Sequence, residues 1–430
     1  MSAGPRAAWL RERNPLPDGT MTVGAGLIIN GITAYAFLGL AGRSLGAEAF
    51  EPLSVLWAMI YLLSPGFFLP LEQEVSRALA NRWARGVGVG PLINQAGTIG
   101  AGLLGAVLVA TIIAGPFLVE HLFDGQVMVL VGLILALTGY AAVHLARGTL
   151  AGLGRFRGYA AYYVYENSLR LAACAVLVVA GVDTAGPYAL VVGLAPAFAL
   201  ALALRKERDL VSPGPAAPRS ELTAALGSLL FASIFSAFLL YGGVVAVSLL
   251  AEEDQAGDAS VFLAGLAIAR VPVFLFQAVQ AALLPKLSAL AGAGRFADFR
   301  TRLWRLLAAV AAVGAAGVLG ARVRGSQVIH LLFGADYRIG STDLALLALS
   351  SAGFMLAVAL GQALIALSAQ SWVGIGWLVG SIVFVVVTLL GHDLFLRVEA
   401  GMVAGSVAAA VVIGALAEIR LHARLIEPAH

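Results

Sequence analysis

The sequence is short of charge. Only 12% of its 430 residues are Asp, Glu, Lys or Arg, about half the share of an ordinary soluble domain. So few charges cannot cover a core built from the 60% of the chain that is hydrophobic. This excludes a cytosolic enzyme, a secreted domain and a nucleic-acid-binding protein. Cysteine is nearly missing: Cys174 stands alone, so there is no intrachain disulfide and no Cys-based metal site. Within its apolar run it reads as a small buried hydrophobe. Lysine contributes only Lys206 and Lys286 among 27 basic residues. Catalytic signatures are also missing. The chain has no P-loop, no HExxH, no GxSxG and no Asp-x-Asp pair at a membrane surface. The reading is a protein that is not an enzyme and carries no metal or cofactor.

What is present is apolar length. A membrane-crossing helix needs about 20 mostly apolar residues, and the runs between polar punctuation divide into twelve. They fall near 20–42, 52–71, 92–119, 127–147, 159–182, 187–204, 222–250, 260–284, 303–321, 343–367, 371–391 and 397–418. The first apolar run is too long for a secretory signal and reads as an uncleaved first span. Basic residues orient the set. With residues 1–19 placed in the cytoplasm, 20 Lys and Arg fall inside and five outside (Arg43, Arg322, Arg324, Arg338, Arg397). Arg170 and Arg270 lie within spans. This distribution obeys the positive-inside rule and puts both termini in the cytoplasm. The stretch 205–221, with three prolines and mixed charge, reads as a cytoplasmic linker between two sets of six spans, 20–204 and 222–418, with 419–430 as a tail.

The halves resemble each other. HLFD at 121–124 matches LLFG at 331–334, SRALA at 76–80 matches LSALA at 287–291, and TLAGLGRF at 149–156 matches ALIALSAQ at 363–370. The offsets are 210, 211 and 214, each pair at the same topological place. An even number of spans per half gives both one orientation. The expected fold is therefore an all-α polytopic membrane protein of twelve transmembrane helices, in two six-helix lobes related by a pseudo-twofold axis along the membrane normal.

Several segments carry a family likeness. VIHLLFGADYRIGSTDLALLALS at 328–350 resembles the outer-face signature of polysaccharide flippases in the multidrug/oligosaccharidyl-lipid/polysaccharide exporter superfamily. GRSLGAEAF at 42–50 with LEQEVSRALA at 71–80 is similar to that family's first hairpin, and GTLAGLGRFRGYA at 148–160 to its connection between spans four and five. The resemblance covers essentially the whole chain. It implies lobes that rock about a central cavity, alternately open to each side of a bacterial cytoplasmic membrane. It also implies a polyprenyl-pyrophosphate-linked oligosaccharide as substrate, with membrane lipids, a glycan polymerase and glycosyltransferases as partners. Drug-extruding bacterial relatives typically carry an acid in span one, where this chain has only the amide Asn30. An ion-coupled exporter of amphipathic small molecules on the same fold is the alternative. A membrane-embedded glycan polymerase or ligase is a third; such enzymes usually carry a large outer loop, and the longest here is about twenty residues, 322–342. The driving force would be a proton or sodium gradient, or downstream use of the substrate.

Polar groups inside spans are the candidate site, because hydrocarbon penalises them. Arg270 lies about 15 Å into span eight, where a permanently charged guanidinium can grip phosphate bidentately or make a structural salt bridge. Glu166 and Arg170 stand at i, i+4 on span five beside Tyr163 and Asn167. They either neutralise each other or form a cavity wall, with Arg170 on phosphate and Glu166 as a relay. Asn94, Gln277, Gln280 and Gln362 are candidates for sugar hydroxyls or for joining helices. His144 is a proton-relay or packed histidine. Glu72 and Glu74 read as a solvated face or inner gate among Arg77, Arg82 and Arg85. Tyr337 reads as an interfacial anchor beside the turn at Gly334 and Asp336. Pro65, Pro70, Pro272 and Pro285 bend spans two and eight at related places. GxxxG at 376–380 and 401–405 is a packing motif.

Overall fold

In the computed structural model, residues 20–223 and 225–426 are described. Among them every long element is a helix. Spans one and two form one helical element, Thr20–Ala84, folded back at Gly46 (φ 75°). Spans three to six are Gly90–Ile113, Val127–Gly152, Phe156–Val179 and Ala185–Leu204. Spans seven and nine to twelve are Leu226–Leu250, Phe296–Phe333, Ser341–Ala366, Gln370–Leu390 and Leu394–Ile426. Span eight is broken at Arg270 into Asp258–Ala269 and Val271–Gly292. Nine described helices are long and apolar enough to cross a membrane, one of them the double-length first element. The two expected spans outside that set are span five, which carries Glu166 and Arg170, and span eight, which breaks at Arg270. Buried charge lowers the apolar character of span five, and the break at Arg270 divides span eight.

The expected boundaries need correction where punctuation acts inside a run. Gly115 and Pro116 interrupt span three, so that a separate short helix, Gly115–His121, follows it. Pro272 lacks an N–H and its ring opposes the preceding turn, so span eight restarts at Val271 with proline in its first turn. Span nine runs on to Phe333, which shortens the expected loop 322–342 to 334–340. Span twelve continues to Ile426, so most of the segment read as a tail is helical.

The repeat is visible in the backbone. Four pairs of turns have positive φ at corresponding places: Gly46 (75°) and Gly257 (91°), Gly86 (68°) and Gly294 (69°), Gly125 (71°) and Gly334 (106°), Gly154 (69°) and Ser368 (58°). A tight reversal between antiparallel helices demands the left-handed region, which glycine enters without Cβ strain.

The two halves form the two lobes of the fold. The face that carries residues 205–221 is called here the linker face, and the other the hairpin face, after the turn at Gly46. Contact between lobes runs largely through the first hairpin. Tyr61 of span two stacks on Tyr241 of span seven at 5.6 Å, and Ser233 donates to the Pro65 carbonyl at 2.8 Å. At the hairpin face the lobes are bonded shut. The Arg43 guanidinium donates to the carbonyls of His330, Leu331 and Leu332 at the end of span nine. Ser260 donates to the Ala47 carbonyl at 2.7 Å, and the Gly257 N–H donates to Glu51. Tyr337 is not an interfacial anchor. It is 3% exposed, packs between Phe50 and Phe333, and donates to the Gly42 carbonyl at 3.2 Å.

The linker is pinned. Arg82 reaches Glu221 at 2.7 Å and the carbonyls of Gly88, Pro215 and Ala216, while Ser212 accepts the Gly90 N–H at 2.8 Å. Spans eleven and twelve meet through both GxxxG motifs. A Cβ on Gly380 would lie 2.6 Å from the Gly405 carbonyl oxygen, and a Cβ on Gly405 2.6 Å from that of Gly380.

Candidate functional site

Span five presents one polar face. Tyr159, Tyr162, Tyr163, Glu166, Asn167 and Arg170 follow the three- and four-residue spacing of a helix surface. This face turns inward against spans one, two and four. Arg170 is fully buried and pairs with Glu166 at 3.0 Å. It also donates to Asn167 and, at 3.3 Å, to Tyr140 of span four. Tyr140 in turn donates to Glu166, and Asn167 donates to Asn30 of span one at 2.7 Å. The i, i+4 pair thus neutralises itself. Of the two readings of Glu166 and Arg170, mutual compensation describes the observed geometry.

A second cluster lies toward the linker face. Glu72, 6% exposed and not solvated as expected, bridges His144 at 2.7 Å and Arg147 at 3.0 Å. Tyr159 donates to Glu72 at 3.2 Å, and Ser64 lies 3.2 Å from the far nitrogen of His144. The Arg147 guanidinium also lies over the rings of Tyr159 and Tyr163, at 5.2 and 4.7 Å. Glu74, likewise buried, pairs with Arg77 at 2.7 Å. The clusters tie spans two, four and five into one unit, since a buried charge is tolerated only when paired and hydrogen-bonded.

Arg270 has no such compensation. It is 5% exposed, and no carboxylate among the described residues pairs with it. Nε and one terminal nitrogen are buried without a hydrogen-bond partner. The guanidinium lies 4.4 Å from the ring centroid of Tyr241, a cation–π contact that offsets only part of the desolvation. Beside it is a cavity of about 10 Å³ lined in part by Ser350, Ser351 and Ser406, room for about one water.

An aromatic seam joins the two arginines across the lobe boundary. Arg170 lies 5.1 Å from Trp57, Trp57 5.0 Å from Tyr61, Tyr61 5.6 Å from Tyr241, and Tyr241 4.4 Å from Arg270. Tyr35 of span one closes it by donating to the Ala267 carbonyl at 2.8 Å, next to the break in span eight. The middle of the structure is therefore a row of π faces with a compensated cation at one end and an uncompensated one at the other.

The structure brings together Arg170, Glu166 and, beyond the seam, Arg270. His144 belongs to the Glu72 cluster. Asn94 is exposed at the start of span three and Gln362 is half-buried on span ten, neither joined to the arginines by a hydrogen bond. The side chains of Gln277 and Gln280 lie outside the described residues. Sequence reasoning missed Tyr140, Arg147 and the seam. Their spacing was available: Tyr140, His144 and Arg147 share a face of span four, as Trp57 and Tyr61 do of span two.

No family model matches the chain. It is 28% identical over 418 residues to an uncharacterized protein of Mycobacterium tuberculosis, covering 94% of this chain and 93% of that one. An uncharacterized protein of Mycobacterium bovis is 28% identical over 400 residues, covering 89% and 88%. Solved structures share the architecture at low identity. An inward-facing multidrug resistance MATE family transporter of the MOP superfamily superposes with TM-score 0.73 at 15% identity, over 93% of this chain and 96% of that one. An outward-facing structure described in the same terms gives 0.65 at 15%, over 95% and 96%. A Vibrio cholerae MATE transporter gives 0.65 at 14%, over 95% and 98%. The chain is an all-helical, multi-pass membrane protein with the two-lobed MATE fold.

Proposed function

We propose that this protein is an ion-coupled, alternating-access exporter of amphipathic small molecules that carry a negative charge. One observation carries the reading: Arg270 is a buried cation with free donors and, among the described residues, no acid to answer it, at the end of an aromatic seam between the lobes. A charge left so in an apolar interior calls for an anion, and the seam offers flat apolar surface to the rest of the molecule. The MATE fold of known multidrug transporters supports export by rocking lobes. With 205–221 in the cytoplasm of a bacterial cell, the hairpin face is the external one, and export would proceed from linker face to hairpin face.

Arg270 equally suits the second reading, a flippase for a polyprenyl-pyrophosphate-linked oligosaccharide, because pyrophosphate is also anionic and the loop signatures resemble that family. Arg170 contributes less to it than the sequence suggested, since Glu166 already balances its charge. Proteoliposomes loaded with an amphipathic aryl sulfonate test the reading. Export should occur in the unsubstituted protein and fall at least about tenfold in Arg270→Gln, the loss of roughly one charge-assisted contact. Unchanged export in that variant would refute the assignment. Movement of a lipid-linked oligosaccharide without movement of the sulfonate would establish the second reading.

A further inference from the structure

Glu399 lies on span twelve, five residues beyond its start at Leu394. Its residue is fully buried, and neither carboxylate oxygen has a hydrogen-bond partner. Every other buried acid among the described residues is answered: Glu72 by His144 and Arg147, Glu74 by Arg77, Glu166 by Arg170. The charged groups around Glu399 offer no relief. Asp343, at the start of span ten, and Asp393, before span twelve, act on it with like charge. Spans seven and eleven bring no charged residue, and span ten only Asp343. Asp258, at the start of span eight, is another acid. Arg397, two positions away, donates instead to the Leu250 carbonyl. Arg322, Arg324 and His330 of span nine are exposed. An ionised carboxylate cannot persist in such a place without water or a cation.

Position gives the group a use. Phe395, Glu399, Met402 and Ser406 follow the spacing of one helix face. Phe395 packs on Phe262 of span eight, while Met402 and Ser406 line the cavity beside Arg270. Glu399 is one turn from that lining and about 10 Å along the axis from Ser406. In the packing observed, spans ten and twelve are in close contact, a Cβ on Gly353 falling 2.5 Å from the Ser406 hydroxyl, and the cavity of about 10 Å³ has room for about one water, too little for a sulfonate or phosphate.

We propose that Glu399 is the proton-binding site of the exporter, and that its proton and the anion held by Arg270 exclude one another. This rests on the anion-exporter reading. Protonation transfers H⁺ from hydronium to a carboxylate oxygen and releases water. The neutral side chain then stays buried, with spans seven, eight, ten and twelve packed and the Arg270 cavity collapsed. Loss of the proton creates a charge that must be hydrated, which opens the seam between spans ten and twelve and admits an anion to Arg270. A proton arriving from the hairpin face, past Asp343 and Asp393, thereby expels the anion.

Infrared difference spectroscopy of the full protein in nanodiscs reads the carboxyl directly. At neutral pH a protonated-acid C=O band should be present, absent in Glu399→Gln and retained in Glu399→Asp. Binding of the aryl sulfonate should tighten as pH rises, by up to about tenfold per unit across the titration. In Glu399→Gln it should be weak and independent of pH. An ionised Glu399 at neutral pH, or a pH dependence unchanged in Glu399→Gln, would overturn the proposal. The anion reading fails separately, by binding that ignores Arg270→Gln, and the infrared band still decides the state of Glu399 in that event.

Discussion

Removing Arg43 should unlatch the hairpin face. Arg43 belongs to span one, yet its guanidinium caps the last carbonyls of span nine in the other lobe, with Nε 3.0 Å from the Leu332 oxygen. The His330 carbonyl also accepts the Gly334 N–H at 3.1 Å, whereas those of Leu331 and Leu332 lie past the last turn that can answer them, and all three carry the negative end of the helix dipole. A cation at an exposed helix C-terminus is worth about 0.3–1 kcal/mol. Charged hydrogen bonds add about 1.5–3 kcal/mol when buried and less in water. Arg43 is exposed, so about 1.5 kcal/mol is a reasonable total, close to tenfold in the balance between closed and open hairpin faces. Arg43→Ala should shift that balance by about this factor, and Arg43→Lys by less, since a point charge lacks the fork that spans several carbonyls. Spin labels on Asp183→Cys and His392→Cys, both exposed on the hairpin face, report the separation of the lobes by pulsed electron–electron distances. The native Cys174 is buried and will not compete for label. An unchanged distance distribution in Arg43→Ala would show that the latch is bystander chemistry and that closure rests on apolar packing alone.

Other outcomes follow from the same geometry. Burial raises the Glu51 carboxyl above the usual carboxylate range, against the opposing pull of the Gly257 N–H. The closed face therefore binds this proton more tightly than an open, hydrated one. Acid should favour closure, and the preference should fade as pH rises through the raised value; the same labels read it, and Glu51→Gln should abolish it. Arg82→Ala removes a buried guanidinium that holds the linker, at a cost of about 2–4 kcal/mol, and trypsin should then cut faster after Arg205, Lys206 or Arg208. Gly380→Val forces a Cβ toward the Gly405 carbonyl and should cost about 1–3 kcal/mol, read as a lower melting temperature in detergent. Ser368→Gly relieves a left-handed serine (φ 58°) and should stabilise by up to about 1 kcal/mol.

Much of the fold was legible because hydrocarbon imposes a single rule: apolar runs of sufficient length become helices. That rule is plain for ten of the twelve spans and weaker for spans five and eight, and it cannot register an interruption inside a run. Pro272 and the Gly115–Pro116 step broke helices that hydropathy alone keeps whole. At the site, the sequence identified Glu166 with Arg170 and singled out Arg270, since charges within spans stand out. It could not tell which cation was answered. Compensation of Arg170 is local, one turn away, and readable. The partners of Glu72 come from span four, 72 and 75 positions further on, and only packing reveals them. Tyr337 illustrates the same limit: a tyrosine near an expected membrane surface suits an interfacial belt or a plug equally well until the Gly42 carbonyl appears beside it.

The paired turns have a consequence for how such a chain could arise. A unit of six crossings begins and ends on the same side, so a copy joined to its own end enters the membrane in the same sense without inversion. The two halves differ widely in their side chains: span eleven, the counterpart of span five, has no charged residue where span five carries Glu166 and Arg170. Ser368 stands where its twin has glycine, and it still bends the same way. The correspondence of the halves is recorded less in their letters than in the positive φ shared by four pairs of turns. The Arg82 clasp then holds the one segment that is left over once the two halves are matched.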